Sequence, residues 1–166
     1  MILENYISYF KNLVNNSFYF DTQSGVAFRL ATIDEAYSDF ISNVVGYGYF
    51  FRLFVPSVDV FDNLDNQYAD SNIGFEIGKL CMSDDNESRI ASLIKSELIA
   101  KIFLDRIHDD SMYDNDSLVY GSFNKVQCKM RYNLTSGDGS YASVIVLFSI
   151  NPIVSFCNMK ESDWVR

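Results

Sequence analysis

The chain of 166 residues has one histidine, three cysteines and few basic side chains, and each shortage narrows the chemistry open to it. Cys81, Cys128 and Cys157 are odd in number and far apart, so they make no disulfide framework. No CxxC or Cys/His pairing suits a structural zinc site. Reduced, mostly buried thiols in a cytosolic protein are the expectation. Thirteen Lys and Arg against 22 Asp and Glu leave a formal net charge of −9. That sign repels phosphate and argues against sequence-specific nucleic-acid binding. The densest basic cluster, Lys125, Lys129 and Arg131, reads as the wet face of a strand. No apolar run approaches the roughly 20 residues of a membrane span, so no membrane partner is expected. The segment MILENYISYFKNL has no basic leader and repeats like a helix, which separates it from a signal peptide.

Recognisable catalytic motifs are missing too. There is no G-x-S-x-G, P-loop or H-E-x-x-H pattern. His108 stands beside Asp109 and Asp110, a pairing able to act as a general base. The commoner account is a histidine just past a helix C-terminus, where a cation suits the helix dipole. Asp62, Asp65 and Asp70 lie in one acidic segment, and Asp109, Asp110, Asp114 and Asp116 in another. Neither has the spacing of an EF-hand calcium loop, and both read as solvated loops. Gly46-Tyr47-Gly48 and Gly137-Asp138-Gly139 are too short to cradle phosphate. No catalytic, cofactor-binding or metal-ligating residue nominates itself, and the chain reads as non-enzymatic.

Large apolar side chains, by contrast, are plentiful. Hydrophobic residues make up 48% and aromatics 16%, with 14 Phe and 11 Tyr. An aromatic-rich core accounts for most of these, and burial of the surplus against neighbouring copies is the alternative. Ile2, Leu3, Tyr6, Ile7, Phe10, Leu13 and Val14 recur every three or four residues, which predicts a core-facing amphipathic helix. Residues 17–31 are β-rich and broken at Gly25, suggesting a short hairpin. Thr32 and Glu35 form a capping box for a short helix to about Asn43. YFFRLFV (49–55) is a strand apolar on both faces apart from Arg52, stopped by Pro56. Residues 57–72 read as a long acidic loop, of the kind that is functional or mobile. Ile73, Phe75 and Ile77 alternate in the following strand.

Ser83 and Asp84, with Glu87, cap the longest helix, expected to run to about Ile107. Its first half carries one apolar stripe, Ile90, Ala91, Leu93, Ile94 and Leu98. Its second half is apolar over a wider arc, which places it between the sheet and either another helix or a second subunit. Residues 108–117 then read as a loop. Cys128, Met130, Tyr132 and Leu134 alternate with polar residues in a strand with one wet face. Ser136-Gly137-Asp138-Gly139 signals a hairpin turn. Its partner YASVIVLFSI (141–150) is apolar enough to be central, and 151–166 forms a tail. The result is one α+β domain over 1–166. An antiparallel or mixed sheet of four to five strands packs on one long helix plus the N-terminal amphipathic helix.

This order resembles the small tail-terminator and tail-completion (neck) proteins of tailed phages and prophages. It is carried by LENYISYFKNLV, then YFFRLFVPSVDVF to IGFEIGKL around the long loop, SRIASLIKSELIAKIFLDRI, and VQCKMRYNL to SYASVIVLFSI, over about residues 1–150. The resemblance implies a structural virion protein that forms a homo-oligomeric ring, a hexamer, and joins tail tube to neck. Its partners would be itself and neighbouring tail or neck proteins. It would reside in the host cytoplasm during assembly and then in the virion. A small acidic binding module, such as an inhibitor or immunity-type protein that captures a basic partner, is the alternative. An enzyme would require the fold to bring His108 and a carboxylate into a deep pocket.

Overall fold

The computed structural model describes residues 3–20, 28–31, 48–55, 57–63, 66–81, 85–123, 128–134 and 141–150, with backbone only at 57–63 and 66–72. Helix α1 spans Leu3–Asn15 and buries Tyr6, Phe10 and Val14, each four residues apart, as the stripe requires. Strand β1 (Phe28–Ala31) runs parallel to β2 (Tyr49–Phe54), and the middle of the expected hairpin, 21–27, lies outside the described residues. The capping-box helix at 32–43, the turn at 136–139 and the tail 151–166 lie outside the described residues.

The segment 57–72, expected as a loop, is a correction. It forms β3 (Ser57–Asn63) and the first half of the long strand β4 (Asn66–Leu80), paired antiparallel from Ser57↔Asn72 to Asn63↔Asn66. Asp, Asn and Ser dominate this stretch and are poor strand formers, but the register of β2 on the second half of β4 extends the pairing outward. Strand β5 (Lys129–Leu134) and strand β6 (Tyr141–Ile150) pair antiparallel, as the Gly-rich turn signal implied. The main path of the sheet is β1-β2-β4-β6-β5, with β3 attached to β4. The expected α+β class with a mixed sheet is thus what the chain forms, and β6 is central.

Helix α2 (Asn86–Tyr113) crosses β4 and β6 and is longer than expected. Its N-cap is Asp85, whose side chain accepts a hydrogen bond from the Ser88 amide at 3.0 Å, rather than Ser83 or Asp84. The polar segment HDDSMY continues the helix because Asp110 and Ser111 are buried and bonded to their surroundings. The Ser111 carbonyl accepts from Gly121 N at 2.9 Å and its hydroxyl from Phe123 N at 3.3 Å, folding the turns after Asp114 back onto the helix. Gly121 makes that return with φ of 65°, a conformation open to glycine. His108 therefore sits inside the helix and not past its end, and 108–113 are not a loop.

One aromatic core joins these elements. Phe10 and Phe51 stack with centroids 6.2 Å apart, Phe51 and Phe75 lie at 5.1 Å, and Phe103 at 5.4 Å from Phe51. Phe123 meets Phe148 edge-on at 5.3 Å. Much of the aromatic content is therefore core. The opposite sheet face is buried as well: Phe50, Arg52, Phe54, Glu76, Tyr141 and Ser143 are all nearly inaccessible.

Candidate functional site

Three features stand apart from the ordinary core: two buried polar clusters and one exposed apolar surface. The first cluster lies on the sheet face away from α1 and α2. Arg52 on β2 is the register partner of Glu76 on β4, and Arg52 Nε lies 3.7 Å from Glu76 Oε2, with both side chains buried. The Ser143 hydroxyl on β6 donates to Glu76 Oε1. The guanidinium also sits 5.2 Å from the Phe54 ring centroid. Gly74 and Gly78, two residues either side of Glu76, make the room for this packing. A Cβ at Gly78 would meet Phe50 Cζ and Ser143 Cβ at 2.6 Å, and one at Gly74 would meet Leu147 Cδ2 at 2.6 Å. Burial raises the Glu76 carboxyl above its ordinary range, against the lowering effects of the Ser143 hydrogen bond and the Arg52 charge. A substrate has no open approach to Glu76, which is fully covered, so the pair acts within the fold.

The second cluster clamps α1 to α2. The Tyr9 hydroxyl donates to Asp110 Oδ2 at 2.9 Å, and Arg106 Nε reaches Asp110 Oδ1 at 2.8 Å. Tyr9 is pushed far above the normal phenol range, by burial first and by the Asp110 carboxylate second. This arrangement separates the residues singled out as a general-base pair. Asp110 is committed to Tyr9 and Arg106, two residues and about 200° around the helix from His108. His108 instead faces the Phe123 ring at 6.4 Å, its Nδ1 buried without a hydrogen-bond partner, while Asp109 is exposed. Asp114 and Asp116 are exposed, with Asp114 Oδ1 accepting from the Asp116 amide at 3.1 Å. In the other acidic segment the register sets Asp62 opposite Gln67 and Asp70 opposite Asp59, and Asp65 is outside the described residues. Among the described residues no group of three or more His, Cys, Asp or Glu is placed to hold a metal ion. Lys129 and Arg131 are exposed on β5 as the wet-face reading expects, and Lys125 is outside the described residues.

The third feature is an exposed apolar surface on the outer side of α2. Ile94 is 63% exposed and Ile90, Leu98 and Ile102 38–46%, on the helix whose wide apolar arc was expected to be covered by another helix or a second subunit. The residues of α2 that meet the sheet in its first half are Ser92 and Ser96, with Leu93 partly buried beside them. Next to Ile102 a groove of about 480 Å³ opens, lined by Leu13, Phe18, Tyr19, Phe103 and Arg106 among others. Phe18 on its rim is 87% exposed. On β5, Tyr132 and Leu134 are also half-exposed. No helix among the described residues is long and apolar enough to cross a membrane. No protein-family model and no curated protein matches this chain.

Proposed function

We propose that the chain is a non-enzymatic assembly component of the phage tail-and-neck type, a ring-forming protein that joins tail tube to neck. The observation that carries this reading is the apolar surface on the solvent side of α2, which marks a protein that works through interfaces. The element order also supports it, with α1, the β2–β4 strands, the long α2 and the closing β5–β6 hairpin following one another as the resemblance requires. The paired β3–β4 strands replace the long loop of that pattern. Electron microscopy and mass measurement of the purified chain test the reading. Closed rings, or density on tail tubes, are expected. A single-chain mass at high concentration together with no affinity for tail-tube protein would remove it.

A second reading, an acidic module that captures a basic partner protein, draws on residues 57–72. They carry Asp59, Asp62, Asp65 and Asp70 and no basic side chain. A strict monomer that binds a basic protein, and loses it at high salt, would favour this alternative.

A further inference from the structure

We propose that α2 pairs with α2 of a second copy of this chain, in a two-fold contact centred at Ser96. Its outward apolar residues recur every four positions, at 90, 94, 98 and 102. That ridge is symmetric: Ile90 and Ile102 lie six residues either side of Ser96, and Ile94 and Leu98 two. Two antiparallel copies therefore bring Ile94 level with Leu98 and Ile90 level with Ile102, so the same patch serves on both sides, as an isologous contact demands. Ridges of four-residue spacing interdigitate in the commonest class of helix packing. Ala91, exposed on the same face, is level with Lys101 and leaves the partner helix room to approach.

Charge and area both favour a second copy as the occupant. The chain carries −9, which would drive copies apart over most of its surface. Helix α2 is the exception, with Arg89, Lys95, Lys101 and Arg106 against Glu87, Glu97, Asp105, Asp109 and Asp110, so it carries about one of the nine excess negative charges. Glu97 and Lys101 already pair within the helix, so neither presents an uncompensated charge to a partner. The four helix residues and Phe18, which shares a groove with Ile102, form one exposed apolar surface rather than scattered single side chains. A standard interface takes roughly 800 Å² per partner, with an apolar centre and a polar rim, and this ridge with its flanking charged residues has that arrangement.

The pair closes at two copies, whereas a ring needs contacts that continue past two; both readings draw on the same α2 surface, and the assembled mass tells them apart. Sedimentation of the full chain across a concentration series tests it, with Leu98→Asp and Ile94→Lys as variants. Both positions are exposed, so far-ultraviolet dichroism should match the parent in each. A wild-type species of twice the chain mass, weakened about 30-fold or more by either variant, is the expected result. A wild-type mass that both variants leave unchanged overturns the pair. If that unchanged mass is a closed ring, the tail-and-neck reading survives alone; if it is a single chain, the pair falls and the tail-and-neck reading rests on affinity for tail-tube protein.

Discussion

Replacing Arg52 and Glu76 separately and together would reveal whether the buried ion pair holds the sheet or burdens it. At 3.7 Å and an effective dielectric near 20, their attraction is about 4 to 5 kcal/mol before any desolvation is counted. Removing each ion from water costs several kcal/mol, and Arg52 Nε reaches Glu76 Oε2 only at 3.7 Å, long for a charge-assisted hydrogen bond. Desolvation therefore wins, in keeping with a Glu76 carboxyl raised despite Arg52 beside it. The sign follows by linkage. A carboxyl raised in the folded state contributes stability that is fully present below its unfolded value, about 4.3, and is lost as pH rises through the folded value. Glu76→Gln keeps the acceptor for Ser143 but leaves the Arg52 guanidinium buried without its anion, so it should cost about 3 kcal/mol or more at neutral pH, while abolishing that part of the pH dependence. Arg52→Met leaves a buried carboxylate without its cation and should cost about 3 kcal/mol or more at neutral pH, with the deficit shrinking in acid as Glu76 takes a proton. The double variant Arg52→Met, Glu76→Leu should equal or exceed the parent by about 1–4 kcal/mol. Urea unfolding followed by dichroism at neutral and acidic pH measures all three. A loss of several kcal/mol in the double variant at neutral pH would show that attraction outweighs desolvation and would refute the reasoning.

Two further outcomes test the packing around the polar clusters. Gly78→Ala should lower stability by about 1–3 kcal/mol in urea titration, since its Cβ would stand 2.6 Å from Phe50 and Ser143 and 2.9 Å from the Ala142 carbonyl on the neighbouring strand. Tyr9→Phe should cost about 1–2 kcal/mol by removing the hydroxyl that satisfies buried Asp110. An unchanged unfolding midpoint in Tyr9→Phe would mean that Arg106 alone suffices for that carboxylate.

Periodicity reported the fold well where one face is wet and one dry. The α1 stripe, the β5–β6 hairpin and the central place of β6 were all legible, because burial and spacing agree there. It failed where pairing overrides composition. Residues 57–72 have the texture of a loop, and only the register imposed by β2 and β6 on the far half of β4 draws them into strands. The polar end of α2 was hidden for the opposite reason. Asp110 and Ser111 look like loop residues until Tyr9, Arg106 and the returning turn satisfy them. Arg52 was visible as the exception in an apolar strand, but its register partner Glu76 was not, since nothing local links residues on strands so far apart in the chain.

The candidate interface is a harder case, because periodicity finds a stripe without saying which way it points. Both sides of the first half of α2 have four-residue regularity: Ser88, Ser92 and Ser96 on one, Ile90, Ile94 and Leu98 on the other. Hydropathy alone sends the second set inward. The structure sends the serines in, with Ser92 and Ser96 buried and Ser96 Oγ without a hydrogen-bond partner. Small residues let the helix lie close to the sheet, and the later residues Ile99, Phe103 and Ile107 fix its rotation by their far greater buried volume. Once those three are inside, the earlier isoleucines must face outward on the same rigid helix. An inverted first half is thus the consequence of a dominant second half, and its apolar residues contribute nothing to the core that would keep them there. A surface ridge of this kind costs solubility in an isolated chain. Its symmetry about Ser96 and its balanced charges describe the surface that would cover it.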